Sequence, residues 1–269
     1  MPLSRAPETQ LPDHSPATEL PVKALFSGPP RYRAVTPWGP IEASAMAFVA
    51  AFGPSMLALP VVIYLSAMGL GGEIKEMSLA SPIVLGVMIA TQLLSIGFLW
   101  VLGGRANMRP DTLQYRLPPL SVAGCIVAGL LIVVLTGLLE LAMHSLAGFD
   151  PFKETNMLSE GLRSQYWWGT LLVAIVLAPI WEELAFRGFW LTALAKTRLG
   201  IIGGGLISNV VWTLMHLQYS PAGMASVFLA GLLLTWIMWR TSSIRACIVA
   251  HAIVNGMSVA FLAAMAPAA

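Results

Sequence analysis

Charge is what this chain has least of: Lys, Arg, Asp and Glu make up 10% of its 269 residues, against 57% hydrophobic and a mean hydropathy of +0.76. A soluble domain carries about a quarter of its residues as charged groups to cover its surface. Water is therefore excluded as the solvent for most of this chain. A net charge of +2 spread over the flanks of apolar blocks excludes a nucleic-acid-binding patch. Cysteine is nearly absent too, and Cys125 and Cys247 both lie inside apolar blocks, which excludes a disulfide framework and suits small helix-packing residues. No HExxH occurs, which excludes a zinc site of that type on one helix. The first 40 residues are not expected to be a secretory signal, because the first apolar block begins only near Ala43 and is far longer than a signal core.

What the chain has instead is long apolar blocks. Each is long enough to cross a hydrocarbon core about 30 Å thick at about 1.5 Å per residue. Seven candidate spans follow, about 43–68, 81–103, 120–146, 167–187, 201–217, 223–239 and 244–265. The expected fold is all-α: a polytopic membrane helical bundle with about seven transmembrane spans. FRGFWLTALAKTRL, at 186–199, leaves room for one more short re-entrant or interfacial helix. Residues 1–41 hold nine prolines and no hydrophobic period, and are expected to form a disordered cytoplasmic tail. Residues 42–160 then supply the N-terminal transmembrane helices and 161–269 the functional region.

Orientation follows from the basic residues. With the tail in the cytoplasm, Arg5, Lys23, Arg31, Arg33, Arg105, Arg109, Arg116, Lys196, Arg198, Arg240 and Arg245 share one side, and Lys75, Lys153 and Arg163 the other. The N-terminus is expected inside, and the brevity of the chain leans towards a bacterial inner membrane. No internal repeat of the kind seen in transporters is present, which argues against a channel or transporter.

Ionisable groups inside a span cost about 2.5–3.5 kcal/mol each on insertion scales, so the few that occur are informative. Glu140 and His144, four apart on one helical face, read as a locally satisfied pair near the outer surface, with an accessory role in proton transfer as the alternative. PIWEELAFRGF says more. Adjacent glutamates project about 100° apart on a helix and cannot share a partner. Glu183 and Arg187, spaced i,i+4 with the acid first, suit an intrahelical ion pair. Glu182 is left without a local cation, a setting that suits a general base.

His216 ends the run NVVWTLMH, with Trp212 one turn earlier, and His251 and Asn255 project together from IVAHAIVNG. Each alone fits an interfacial or packing role. Together, a carboxylate, two imidazoles and an amide are the parts that activate a water and stabilise an oxyanion. Glu182, His216 and His251 are equally the ligand types of a hydrolytic zinc site, so a divalent metal such as zinc and a metal-free site both remain open.

The order Glu182-Glu183-x-x-x-Arg187, Trp212-x-x-x-His216, His251-x-x-x-Asn255 resembles the CPBP family of intramembrane proteases. That family includes type II CAAX prenyl endopeptidases, lysostaphin-resistance-like proteins and bacteriocin-processing or self-immunity proteins. The resemblance covers about residues 165–260. It implies an endopeptidase in which Glu182 and His216 activate water, His251 and Asn255 stabilise the oxyanion, and Glu183 with Arg187 holds the helix. Two departures stand out: Trp212 where the family usually has Phe, and Arg245-Ala246-Cys247 where a proline-containing run is usual. The implied partners are the lipid bilayer and a membrane-associated peptide or protein substrate. The alternative is a non-catalytic membrane scaffold or self-immunity protein.

Overall fold

The computed structural model describes residues 19–68, 79–115, 120–148 and 156–265. Residues 1–18 of the expected tail lie outside the described residues, as do Lys75, Arg116 and Lys153 of the orientation pattern. Seven longer helices follow one another among the described residues: α1 Pro40–Ala67, α2 Pro82–Gly103, α3 Val122–Ala147, α4 Trp167–Ala195, α5 Gly200–Leu214, α6 Pro221–Thr241 and α7 Ile244–Met265. All but α5 are long and apolar enough to cross a membrane.

Local chemistry sets their ends. Ser121 Oγ accepts from Gly124 N at 3.2 Å at the start of α3, and Ser220 Oγ accepts from Gly223 N at 3.3 Å at the start of α6. Both are N-caps that satisfy a backbone donor the helix cannot reach. Pro82 and Pro221 occupy first-turn positions, where a missing N–H leaves nothing unpaired. Gly148, at φ 68°, closes α3 in the left-handed conformation that only glycine adopts without strain.

Two expectations are corrected. The segment 186–199 is not a separate re-entrant helix; through Ala195 it is the continuation of α4, which runs 29 residues. Within α4 the chain widens into π turns over Leu172–Leu177 and Leu184–Trp190. The first precedes Pro179, which has no N–H for the preceding turn, and such widening is a common way to absorb the mismatch. The second is satisfied by side chains: Thr192 Oγ1 donates to Gly188 O at 2.6 Å and Ser208 Oγ to Phe186 O at 2.9 Å. Nor is the tail unstructured through residue 41. From Glu19 onward it lies against the bundle, because cationic and apolar groups hold it there. Leu20 and Leu25 are buried, and the Arg240 guanidinium donates to the carbonyls of Ala24, Ser27 and Gly28. Lys196 Nζ donates to Thr36 O and Trp38 O at 2.9 and 3.1 Å.

These contacts mark one end of the bundle, where α1, α3, α5 and α7 begin and α2, α4 and α6 finish. The same end is closed by Gln114, fully buried, whose Nε2 donates to Arg33 O at 3.0 Å and whose Oε1 accepts from Ser242 Oγ at 2.5 Å. Lys23, Arg31, Arg33, Arg105, Arg109, Lys196, Arg198, Arg240 and Arg245 all gather here.

Helix α4 is innermost: 56% of its apolar window is buried, against 11% for α1, whose Met56, Leu57 and Leu59 face outward. It packs on α1, α2, α5, α6 and α7, while α3 lies against α6 and α7. Helix α5 is 15 residues, about 22 Å at 1.5 Å per residue, too short for a core of about 30 Å. It rises from the basic end, turns over 215–220 and returns as α6. It begins at Gly200, before the glycine run, and those glycines serve packing: a Cβ at Gly205 would stand 2.6 Å from Thr235 Cγ2 on α6.

Candidate active site

Helix α4 presents its two glutamates to different neighbours, as an angular offset of about 100° requires. Glu183 points into the protein and is fully buried. Its Oε1 accepts from Arg187 Nη1 at 3.0 Å, one turn along α4, and lies 2.8 Å from His251 Nδ1 on α7. Arg187 is itself buried; Nη2 donates to Gly231 O on α6 at 3.3 Å, and the guanidinium carbon sits 4.3 Å from the centroid of the Trp212 ring. A charged pair this deep is tolerable only with such dense partnering. Gly231 is part of that arrangement, since a Cβ there would come within 1.6 Å of Asn209 Oδ1 and 2.8 Å of Arg187 Nη2.

Glu182 is only half-buried. Among the described residues no cation is paired with it; its Oε2 accepts from the Trp212 indole N–H on α5 at 2.6 Å. His216, in the turn after α5, has Nδ1 2.9 Å from the Trp212 carbonyl. A carbonyl can only accept, so Nδ1 carries a proton, and in the singly protonated ring Nε2 is the acceptor. The Trp212 ring also meets His216 and His251 edge-on, at centroid distances of 5.1 and 5.6 Å.

The site residues therefore come together as two groups joined by one side chain. Glu183, Arg187 and His251 form a buried polar chain; Glu182 and His216 form a more open pair, each tied to Trp212. Asn255 stands apart from both, half-buried, with Nδ2 donating to Ala174 O in the first wide turn of α4 at 2.8 Å. The second N–H of its amide is not needed for that bond. Glu140 and His144 sit on the last turns of α3, the former half-buried and the latter exposed.

Spacing did not reveal two features. His251 is bonded to Glu183 across helices, and Trp212 is the centre of the network. A buried indole needs an acceptor for its N–H, and that requirement was the one signal that could have linked Trp212 to a carboxylate. Among the described residues no group of three or more His, Cys, Asp or Glu stands together to hold a metal ion. One nitrogen of each histidine and one oxygen of Glu182 are engaged in hydrogen bonds, which leaves the second ring nitrogens and Glu182 Oε1 as the uncommitted atoms.

Residues 164–257 match the family model described as type II CAAX prenyl endopeptidase Rce1-like. The match contains both glutamates, Arg187, Trp212, both histidines and Asn255. No curated protein and no solved structure matches the chain.

Proposed function

We propose that this integral membrane protein, whose residues 164–257 match the Rce1-like type II CAAX prenyl endopeptidase model, is an intramembrane protease of the CAAX type that hydrolyses a peptide bond of a membrane-associated protein or peptide with a water activated by Glu182 and His216. The observation that carries this reading is the contrast between neighbouring carboxylates. Glu183 is locked between Arg187 and His251, whereas Glu182 is half-open and bonded through one oxygen to a neutral donor.

Two acceptors, Glu182 Oε1 and His216 Nε2, can hold a water by its two protons. Glu182 takes a proton as the water oxygen attacks the scissile carbonyl, and returns it to the leaving amine. His251, fixed through Nδ1 by Glu183, and the second amide N–H of Asn255 serve the developing oxyanion, the imidazole through an Nε2–H. The cytoplasm faces the basic end, following the clustering of Lys and Arg there.

Replacing Glu182 with Gln tests the assignment. Cleavage of a quenched peptide ending in a prenylated cysteine and three further residues, or of an accumulating native precursor in membranes, should fall roughly 100-fold or more. Thermal stability in detergent should stay near wild type, because the carboxamide oxygen of the substituted side chain can still accept from Trp212. Full activity of Glu182→Gln would sink the proposal. Elemental analysis of the purified protein and a chelator titration accompany it; loss of activity on chelation, restored by zinc, would replace the metal-free water activation described above.

A further inference from the structure

We propose that Trp212 is the positioning residue of the site, holding Glu182 in its working rotamer through the indole N–H and fixing the His216 tautomer through its carbonyl. This rests on the hydrolytic reading above and adds a role the family resemblance does not supply, since Phe, usual at this position, has no N–H to offer.

The geometry makes Trp212 more than packing. Its N–H reaches Glu182 Oε2 at 2.6 Å, at the short end for a nitrogen donor, as expected for a charged acceptor. One carboxylate oxygen is thereby occupied, and Oε1 is left to face the water. Its carbonyl, 2.9 Å from His216 Nδ1, selects the tautomer whose Nε2 accepts. Its ring is fixed by the Arg187 guanidinium at 4.3 Å on one face and by His251 edge-on at 5.6 Å, and the side chain is 3% exposed. Glu182 and His216, meant to activate water, and His251, meant to serve the oxyanion, thus share a single rigid ring. In this chain the indole takes the place of a cationic partner for Glu182: it orients the carboxylate without bringing a counter-charge to it.

Two readouts test this. The first needs no substrate. In a 15N-labelled protein in micelles, the indole proton of Trp212, identified by its loss in Trp212→Phe, should lie at the downfield edge of the indole signals. It should move upfield by roughly 0.5 ppm or more, an order-of-magnitude expectation for a charge-assisted bond turned neutral, in Glu182→Gln and stay in place in Glu160→Gln. The second uses the prenylated quenched peptide. Replacing Trp212 by the benzothiophene analogue of tryptophan, which keeps the shape and lacks the N–H, should lower kcat roughly 10- to 100-fold, the range a small misplacement of a catalytic group produces. KM should stay within about twofold and the melting temperature close to wild type. Trp212→Phe should behave alike but with some loss of stability. An indole proton indifferent to Glu182→Gln, or full kcat in the benzothiophene variant, overturns the inference. Loss of activity in Glu182→Gln alongside full activity in the benzothiophene variant would overturn only the role of Trp212; full activity in Glu182→Gln would overturn the hydrolytic reading itself.

Discussion

Cutting the Glu183–Arg187 pair at one end should cost far more than removing both charges. The two side chains are 0% and 1% exposed and 3.0 Å apart, so their attraction is about 5 kcal/mol at an effective dielectric of about 20. Breaking a buried pair from one side typically costs about 3–5 kcal/mol, because the surviving charge is stranded. In Glu183→Gln the stranded group is Arg187, which keeps the Gly231 carbonyl and the Trp212 ring; these hold the loss near the lower bound, about 3 kcal/mol. In Arg187→Met the stranded group is Glu183, left with His251 alone and with Oε2 unpartnered, which puts the loss nearer about 4 kcal/mol by the same range. The double variant removes both charges and should be no less stable than either single one, a coupling of at least about 4 kcal/mol. Reversible unfolding in mixed micelles, read by steric trapping or by denaturant titration, measures all four species. Single losses that add to the double within about 0.5 kcal/mol would show that the pair is not coupled, and would refute the reasoning from burial.

Gly231→Ala should destabilise by about 1–3 kcal/mol through overpacking, since the new methyl would sit 1.6 Å from Asn209 Oδ1. Unfolding in micelles checks the loss, and Asn209→Ala in the same background should recover part of it. Arg240→Met should free residues 24–28, whose carbonyls lose the guanidinium that holds them. Limited proteolysis should then cut near Lys23 several times faster than in wild type, and unchanged kinetics would show that the apolar contacts of Leu20 and Leu25 suffice.

Hydropathy alone marked out the helices, because an apolar block of more than about 20 residues has few alternatives in lipid. Helix α5 was harder to delimit: its apolar run continues through Met215, and nothing in composition separates a 15-residue helix from a full span. Continuity of α4 from 186 through Ala195 was hidden by Arg187 and Lys196, which break the hydropathy although Arg187 is paired with Glu183 and Lys196 reaches tail carbonyls. The tail was misjudged for a related reason. Its prolines exclude regular helix, yet it needs none, because Arg240, Lys196 and Gln114 satisfy its carbonyls from the bundle. Within the site, contacts along one helix were legible from i,i+4 spacing, as with Glu183 and Arg187. Contacts between helices, His251 to Glu183 and Trp212 to Glu182, depend on rotation and depth, which no single-helix periodicity encodes.

Two identical side chains, adjacent in sequence, are given unlike chemistry by helix geometry alone. Rotation by about 100° takes Glu183 towards α7, where it meets two nitrogen partners and no solvent, and takes Glu182 towards α5, where it stays only half-buried. Divergent surroundings for paired titratable groups are the usual mark of divided acid–base roles. Here the division has a further consequence. Because Glu183 is fixed by Arg187 on its own helix, it can fix His251 on another, and because Trp212 stacks on Arg187, the same anchor holds the donor for Glu182. The stability of the buried pair and the alignment of the open carboxylate are therefore coupled through one guanidinium. Arg187→Lys, which keeps the charge and loses the planar face, should leave the Glu183 pair largely intact while lowering kcat roughly tenfold or more with little change in KM. Equal losses of stability and rate in that variant, or no loss of rate, would show that the two halves of the site work independently.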